Sequence, residues 1–201
     1  MPTYLEIQQR VTLDCLNRID LIPEAKRAIQ SMIRKYEKQR WWFNETSTAI
    51  NATANQAYIS VPADLLAPQE LRVSLNNDRC QLRDLSYEDL QDQNDSSATG
   101  RPVWYCHFGE QFQLAPIPDS AYPITVTYLQ KLSTLSADSD TNSFLSAMED
   151  CIVFGAASIV AANLGNVDVA VKYKMLETEF YKMAVSHRDQ RIIKRIRPTK
   201  F

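Results

Sequence analysis

Residues 151–162 run for twelve positions without a charge, and no other feature limits the fold of this chain as tightly. A helix that is apolar on every side has to be buried on every side. Twelve residues are too few to cross a membrane, which takes roughly 20. Gly155, Ala156, Ala157, Ala161 and Ala162 are small enough to let neighbouring helices come close. Gly165 then ends the helix, because glycine tolerates the left-handed geometry of a C-terminal cap.

Other helices are expected to supply that cover. The first spans about 3–19. Thr3 and Glu6 fit a capping box, and Ile7, Val11 and Cys15 follow four apart, with Tyr4 just before them. The second starts at Pro23, whose missing N–H has no helical partner anyway. Its apolar stripe is Ala25, Ile29, Met32, Ile33 and Tyr36, and Arg27, Arg34 and Lys38 share another face. Ser146 and Glu149 match a second capping box ahead of the uncharged helix. The last helix carries Val169, Tyr173, Leu176, Phe180, Met183 and His187, a seam stepping by four and three.

Between the helix pairs the period changes to two. Residues 46–50 and 57–61 read as two strands around the turn Thr53-Ala54-Asn55. Leu71, Val73 and Leu75 alternate with polar residues, Asn76-Asn77-Asp78 signals a turn, and 79–83 returns as the partner strand. Ser86 to Asp89 caps one short helix, and 92–100 reads as a loop. Residues 103–108, 111–114 and 124–128 are three more strands. The expected fold class is therefore α+β: a helical bundle formed by the N- and C-terminal helix pairs, with a small antiparallel β lobe inserted. The expected divisions are 1–42 for the first helix pair, 43–135 for the β lobe, 136–190 for the second pair and 191–201 for a basic tail.

Catalytic patterns are missing from the chain. With glycines only at 100, 109, 155 and 165, no G-x-G-x-x-G, P-loop or G-x-S-x-G can form. His107 sits in an expected strand and His187 extends a packing seam, so both read as structural. Cys15, Cys80, Cys106 and Cys151 are far apart and suit isolated buried thiols in a reducing cytoplasm. Asp138 and Asp140 lack the glycine and distal glutamate of an EF-hand, and their loop reads as one rich in capping groups. Trp41, Trp42 and Phe43 could stack on bases, but at a helix-to-strand junction buried anchors are the better reading. No catalytic residue, cofactor or metal is assigned, and the chain is not expected to be an enzyme. Nothing at the N-terminus reads as a signal peptide, and no membrane contact is expected.

Charge is unevenly placed. The chain carries −2 overall, yet residues 188–200 hold six basic residues and one acid, which leaves −7 for the rest. Residues 84–95 hold five acids and no base. An acidic body with a basic end favours electrostatic docking, while a solvated end without a partner is the bland alternative.

Several segments together resemble a known family. Arg40-Trp-Trp-Phe-Asn44 and Tyr58-Ile-Ser-Val-Pro-Ala-Asp64 open the pattern. Gly100-Arg-Pro-Val-Trp-Tyr105, Phe112-Gln-Leu-Ala-Pro-Ile-Pro-Asp119 and Tyr122-Pro-Ile-Thr-Val-Thr-Tyr128 form its core. Leu135-Ser, Asp140-Thr-Asn142, Phe144-Leu145 and Gly155-Ala156 complete it. In order and spacing they resemble the head-to-tail adaptor proteins of tailed phages, over residues 22–190. A proline common near the start of the family's third helix is replaced here by Ala147 and Met148, and the C-terminal tail lies outside the pattern.

The resemblance implies a structural ring, commonly dodecameric, at the neck of the virion. It would join the portal protein to tail or nozzle proteins, close the head, line the channel through which packaged DNA leaves, and be made in the cytoplasm of the bacterial host. On that basis the uncharged helix was expected to find part of its cover on neighbouring copies. Arg191, Ile192, Ile193, Lys194, Arg195, Ile196, Arg197 and Phe201 are the expected portal-docking residues, combining apolar anchors with cations. Arg27, Arg34 and Lys38 are the expected face toward DNA. The alternatives are a nucleic-acid-binding accessory protein, a tail-completion ring and, with no nominated carboxylate pair, a tail-associated cell-wall hydrolase.

Overall fold

The computed structural model describes residues 1–75, 78–93 and 98–195, with the backbone alone at 78 and 190–195. The chain divides into two compact units. One is Met1–Asn44 with the chain from Leu132 onward, and the other is Glu45–Lys131.

The first unit is helical. Its helix α1 (Tyr4–Gln9) begins with the expected capping box: Thr3 Oγ1 accepts from Glu6 N, and Glu6 accepts from Thr3 N at 2.8 Å. The expected long first helix then breaks up. A π-helical segment (Arg10–Cys15) and a 3-10 turn (Ile19–Leu21) follow, and Asn17 between them takes φ 50°. Asparagine is among the residues that tolerate that region. Helix α2 (Ile22–Glu37) buries Ala25, Ala28, Ile29, Met32 and Tyr36. Much later come the short α4 (Ser143–Ala147), α5 (Glu149–Asn163) and the long α6 (Val167–Arg195).

The expected capping box at Ser146 and Glu149 does not form. Asn142 caps α4 instead, accepting from Leu145 N at 3.1 Å, and Ser146 lies inside that helix. Glu149 is taken by Arg10, which also reaches Asp150 at 2.9 Å. Gly165 does end α5, at φ 77°, with its N–H donating to Ala162 O.

Helix α5 finds its cover within its own chain. Cys151, Ile152, Val153, Gly155, Ala156, Ala157, Val160 and Ala161 are buried, and Phe154, Ser158 and Ile159 are half-buried. It packs against α2, α6 and the π-helical segment. Its own chain therefore supplies most of the cover, while Phe154, Ser158 and Ile159 stay half-buried and Ala162 is exposed. At Gly155 a Cβ would stand 2.8 Å from the Met32 sulfur, so a small residue there sets how closely α2 approaches.

The second unit holds eight strands among the described residues. They are β1 (Glu45–Ala52), β2 (Tyr58–Ser60), β3 (Leu65–Leu75), β4 (Asp78–Gln81), β5 (Arg83–Asp84), β6 (Trp104–Phe108), β7 (Gln111–Ala115) and β8 (Tyr122–Gln130). One sheet runs β1-β8-β3-β4 and the other β2-β7-β6-β5, with β5 and β6 parallel. Alternate residues of the two sheets meet in one core: Leu71, Val73, Ile124, Val126 and Tyr128 from the first, Ile59, Tyr105, Phe112 and Leu114 from the second. Period two sends alternate side chains of β3 and β8 inward to this core. Helix α3 (Tyr87–Gln93) lies against β6 through Leu90, Cys106 and Ala115.

This corrects the expected architecture. The protein is α+β, with two four-stranded sheets, one of them mixed, and six α-helices among the described residues; it is not a helical bundle carrying a small antiparallel lobe. The error lay in strand pairing. Residues 46–50 and 57–61 were expected to pair around Thr53-Ala54-Asn55, but β1 pairs with β8 and β2 with β7, in different sheets. Alternation shows which side of a strand is buried, and nothing in it names the partner.

Candidate docking surfaces

The candidate chemical groups are held in structural roles. The His107 ring packs on Phe112 at 5.1 Å and is solvent-exposed. His187 is exposed on α6, at a cleft of about 270 Å³ also lined by Glu149, Asp150, Cys151 and Phe180. Burial, with the nearby Glu177 and Asp150 charges, pushes the Cys151 thiol up to about 12. It is protonated at neutral pH, and the thiol form is a poor nucleophile. Among the described residues no three His, Cys, Asp or Glu side chains group so as to hold a metal ion.

Asp138 and Asp140 tie down a loop. Asp140 accepts from the backbone N–H groups of Ser136 (2.7 Å) and Ala137 (2.8 Å), which holds its carboxyl below the usual range. Asp138 accepts from Lys26 at 3.0 Å, and the carbonyls of Asp138 and Asp140 receive the first N–H groups of α1. Those are donors that a helix start leaves without intrahelical partners.

Trp41 is fully buried, stacked on Phe43 and donating its indole N–H to Tyr36 O at 3.0 Å. The Arg188 guanidinium sits 5.5 Å from its ring centroid. Trp41 is therefore an anchor of the helical core with no face open to a base.

The cations expected to face DNA are all exposed, Arg27 and Arg34 on α2 opposite its buried stripe and Lys38 at its C-terminal cap. Arg27 is already paired with Glu24 at 2.9 Å. Arg34 and Lys38 make no ion pair among the described residues. Of the expected portal-docking set, 191–195 belong to the last turns of α6, so helix rather than an extended arm carries them. Ile196, Arg197 and Phe201 lie outside the described residues.

Two features escaped the sequence reading. The first is Glu177, whose side chain is 3% exposed. It accepts from Lys35 at 2.7 Å, from Lys174 and from the Tyr36 hydroxyl. Burial alone would raise its carboxyl, but the hydrogen bonds from Lys174, Lys35 and Tyr36 win and hold it below the ordinary carboxylate value. A signal was available: Tyr173 and Glu177 are four apart, one helical turn along the seam. The second is an exposed aromatic pair, Tyr87 of α3 and Phe108 of β6, stacked with centroids 4.6 Å apart. Their separation in sequence hid the contact.

No helix among the described residues is long and apolar enough to cross a membrane. No curated protein matches the chain. The family model described as SU10 adaptor protein matches it across residues 2–197. That span takes in both units, the uncharged run at 151–162 and all of α6, and so the chain belongs to the SU10 adaptor protein family, structural proteins of the phage virion that join head to tail.

Proposed function

We propose that this protein assembles as a ring of identical copies between the portal and the tail, closes the filled head and lines the channel through which DNA leaves. The observation that carries the reading is the family match over residues 2–197. The resemblance to tailed-phage adaptors supports twelve copies, and a neck position follows from the same role. The chain is non-enzymatic in this reading.

The cationic, isoleucine-rich end at 191–201 docks on the portal. Its cations suit an acidic surface and its isoleucines supply apolar contact. Removing residues 189–201 spares Arg188 and its place over Trp41, so the helical core stays intact. Portal affinity, measured with the purified partners, is expected to fall by at least about ten-fold. Unchanged affinity would refute this docking role.

The exposed face of α2 supports either of two partners, the passing DNA or a neighbouring subunit. A nucleic-acid-binding accessory role predicts binding of free DNA that weakens steeply with salt, because each neutralised phosphate releases counterions. A tail-completion ring predicts the protein at the tail end rather than the neck in images of the virion.

A further inference from the structure

Tyr87 and Phe108 leave 42% and 56% of their surfaces in solvent while stacked on one another. Beside them α3 buries Leu90 and turns Glu88, Asp89 and Asp92 outward. Asp89 accepts from the Ser86 hydroxyl at 2.7 Å, and none of the three acids is in an ion pair among the described residues. This helix face offers apolar area, π-faces and negative charge together, with no cover from its own unit.

The opposite pattern stands at the C-terminal end of α2, where Arg34 and the capping Lys38 are exposed and lack ion-pair partners among the described residues. Arg27 is held by Glu24, which leaves Arg34 and Lys38 as the available cations of this face. They suit the three carboxylates, and a guanidinium also stacks well on an exposed aromatic ring. We infer that the α2 face of one copy docks on the α3 face and the Tyr87–Phe108 pair of the next copy. This rests on the ring reading proposed above. Two different patches meeting head to tail form a heterologous contact, the kind that repeats around a closed ring.

The test uses two full-length variants with substitutions confined to exposed positions. The first is R34E/K38E. The second is E88K/D92K, which leaves Asp89 on Ser86 so that the start of α3 is undisturbed. Circular dichroism checks that each folds. Native mass spectrometry is expected to show self-association of either variant alone weakened by about ten-fold or more, and an equimolar mixture restoring it as alternating mixed assemblies. Carbodiimide treatment of wild-type copies, half of them isotopically labelled, is expected to join Lys38 of one copy to Glu88 or Asp92 of another.

Variants that associate as well as the wild type, or a mixture that fails to recover, would overturn the pairing. So would an R34E/K38E protein that assembles normally but yields heads losing their DNA, which would give the face to DNA. Rings whose cross-links run through other residues overturn the pairing and leave the ring standing. A wild-type protein found only as single copies, in solution and in the virion, overturns both.

Discussion

The helical unit keeps a carboxylate in its interior, Glu177, between Lys35, Lys174 and Tyr36, whereas the centre of the β unit is Leu71, Phe112, Leu114 and Ile124, each at 0% exposure. The two periodicities account for the contrast. In a strand, successive side chains take opposite faces, so a charged residue can always be placed outward. A straight helix turns once in 3.6 residues and drifts about 20° per heptad against a seam stepping by three and four. In α6 the buried side runs through Ala170, Tyr173 and Glu177, to one side of the expected seam, and leaves Met183 59% exposed, although the seam had included Met183 and not Glu177. The helical unit accommodates the charge with partners whose own charged ends stay in water.

The contrast can be broken most directly at the two aromatic anchors. Trp41→Ala removes the ring that contacts Trp42, Phe43, Tyr181 and Arg188, and Phe112→Ala opens the centre of the β core. Each is expected to destabilise by about 3–5 kcal/mol in denaturant unfolding. A Trp41→Ala cost below about 1 kcal/mol would mean that the helical unit is not organised around its aromatic cluster.

A smaller effect is expected at Glu177. Lys35 and Lys174 keep 47% and 55% of their side-chain surfaces in water, so losing their partner strands no buried charge. The amide oxygen of a glutamine can still accept from the Tyr36 hydroxyl, but its NH2 group cannot accept from a lysine and the charge is gone, so Glu177→Gln is expected to cost about 1–3 kcal/mol at neutral pH. The variant should also change the acid limb of the stability curve. Because the folded carboxyl lies below its unfolded value, its contribution is present above the ordinary carboxylate range and lost as pH falls through it. Melting temperatures followed down through that range should drop less steeply for Glu177→Gln than for the wild type; parallel curves would refute the role. On the alkaline side both units carry groups whose protons burial holds on. Cys151 in one and Tyr105 in the other are each pushed up to about 12, chiefly by burial. Their stabilising contributions hold below the unfolded values and fade as pH rises from there toward about 12.

The smallest effects separate a helix cap from a cross-strand pair. Asn142→Ala removes the acceptor for Leu145 N and is expected to cost about 1 kcal/mol. Ser47→Ala removes the 2.9 Å contact between Ser47 and Thr127 on the exposed face of β1 and β8, and should cost no more than about 0.5 kcal/mol. Thermal unfolding of the two variants side by side checks the order.

Local features were legible in the sequence where a few neighbouring residues contain the whole physics. The Thr3–Glu6 box formed because both of its partners lie within one turn. Gly165 ended α5 because its own backbone allows φ 77°. The β3–β4 and β6–β7 pairs formed because their strands follow one another closely in sequence. The second expected box failed through competition from far away, since Arg10 claims Glu149 from 139 positions upstream. The exposed α2 cations were readable from the helical stripe, while the Glu24 partner of Arg27 required a choice among rotamers. The Tyr87–Phe108 pair joins residues that share no local pattern, and only the packing of α3 on β6 creates it.

Composition and period thus determined by themselves that α5 would be mostly buried, that the middle of the chain would be β structure, and that Trp41 would serve as an anchor. Those outcomes follow from transfer free energy and from side-chain direction along a single element. The tertiary structure alone decided that two sheets would share one core, that α2, α6 and the π-helical segment would supply most of the cover of α5, and that Glu177 would lie inside. Each of these depends on which element meets which. That choice is made by the summed fit of long-range contacts, and a one-dimensional pattern specifies a face but not its partner.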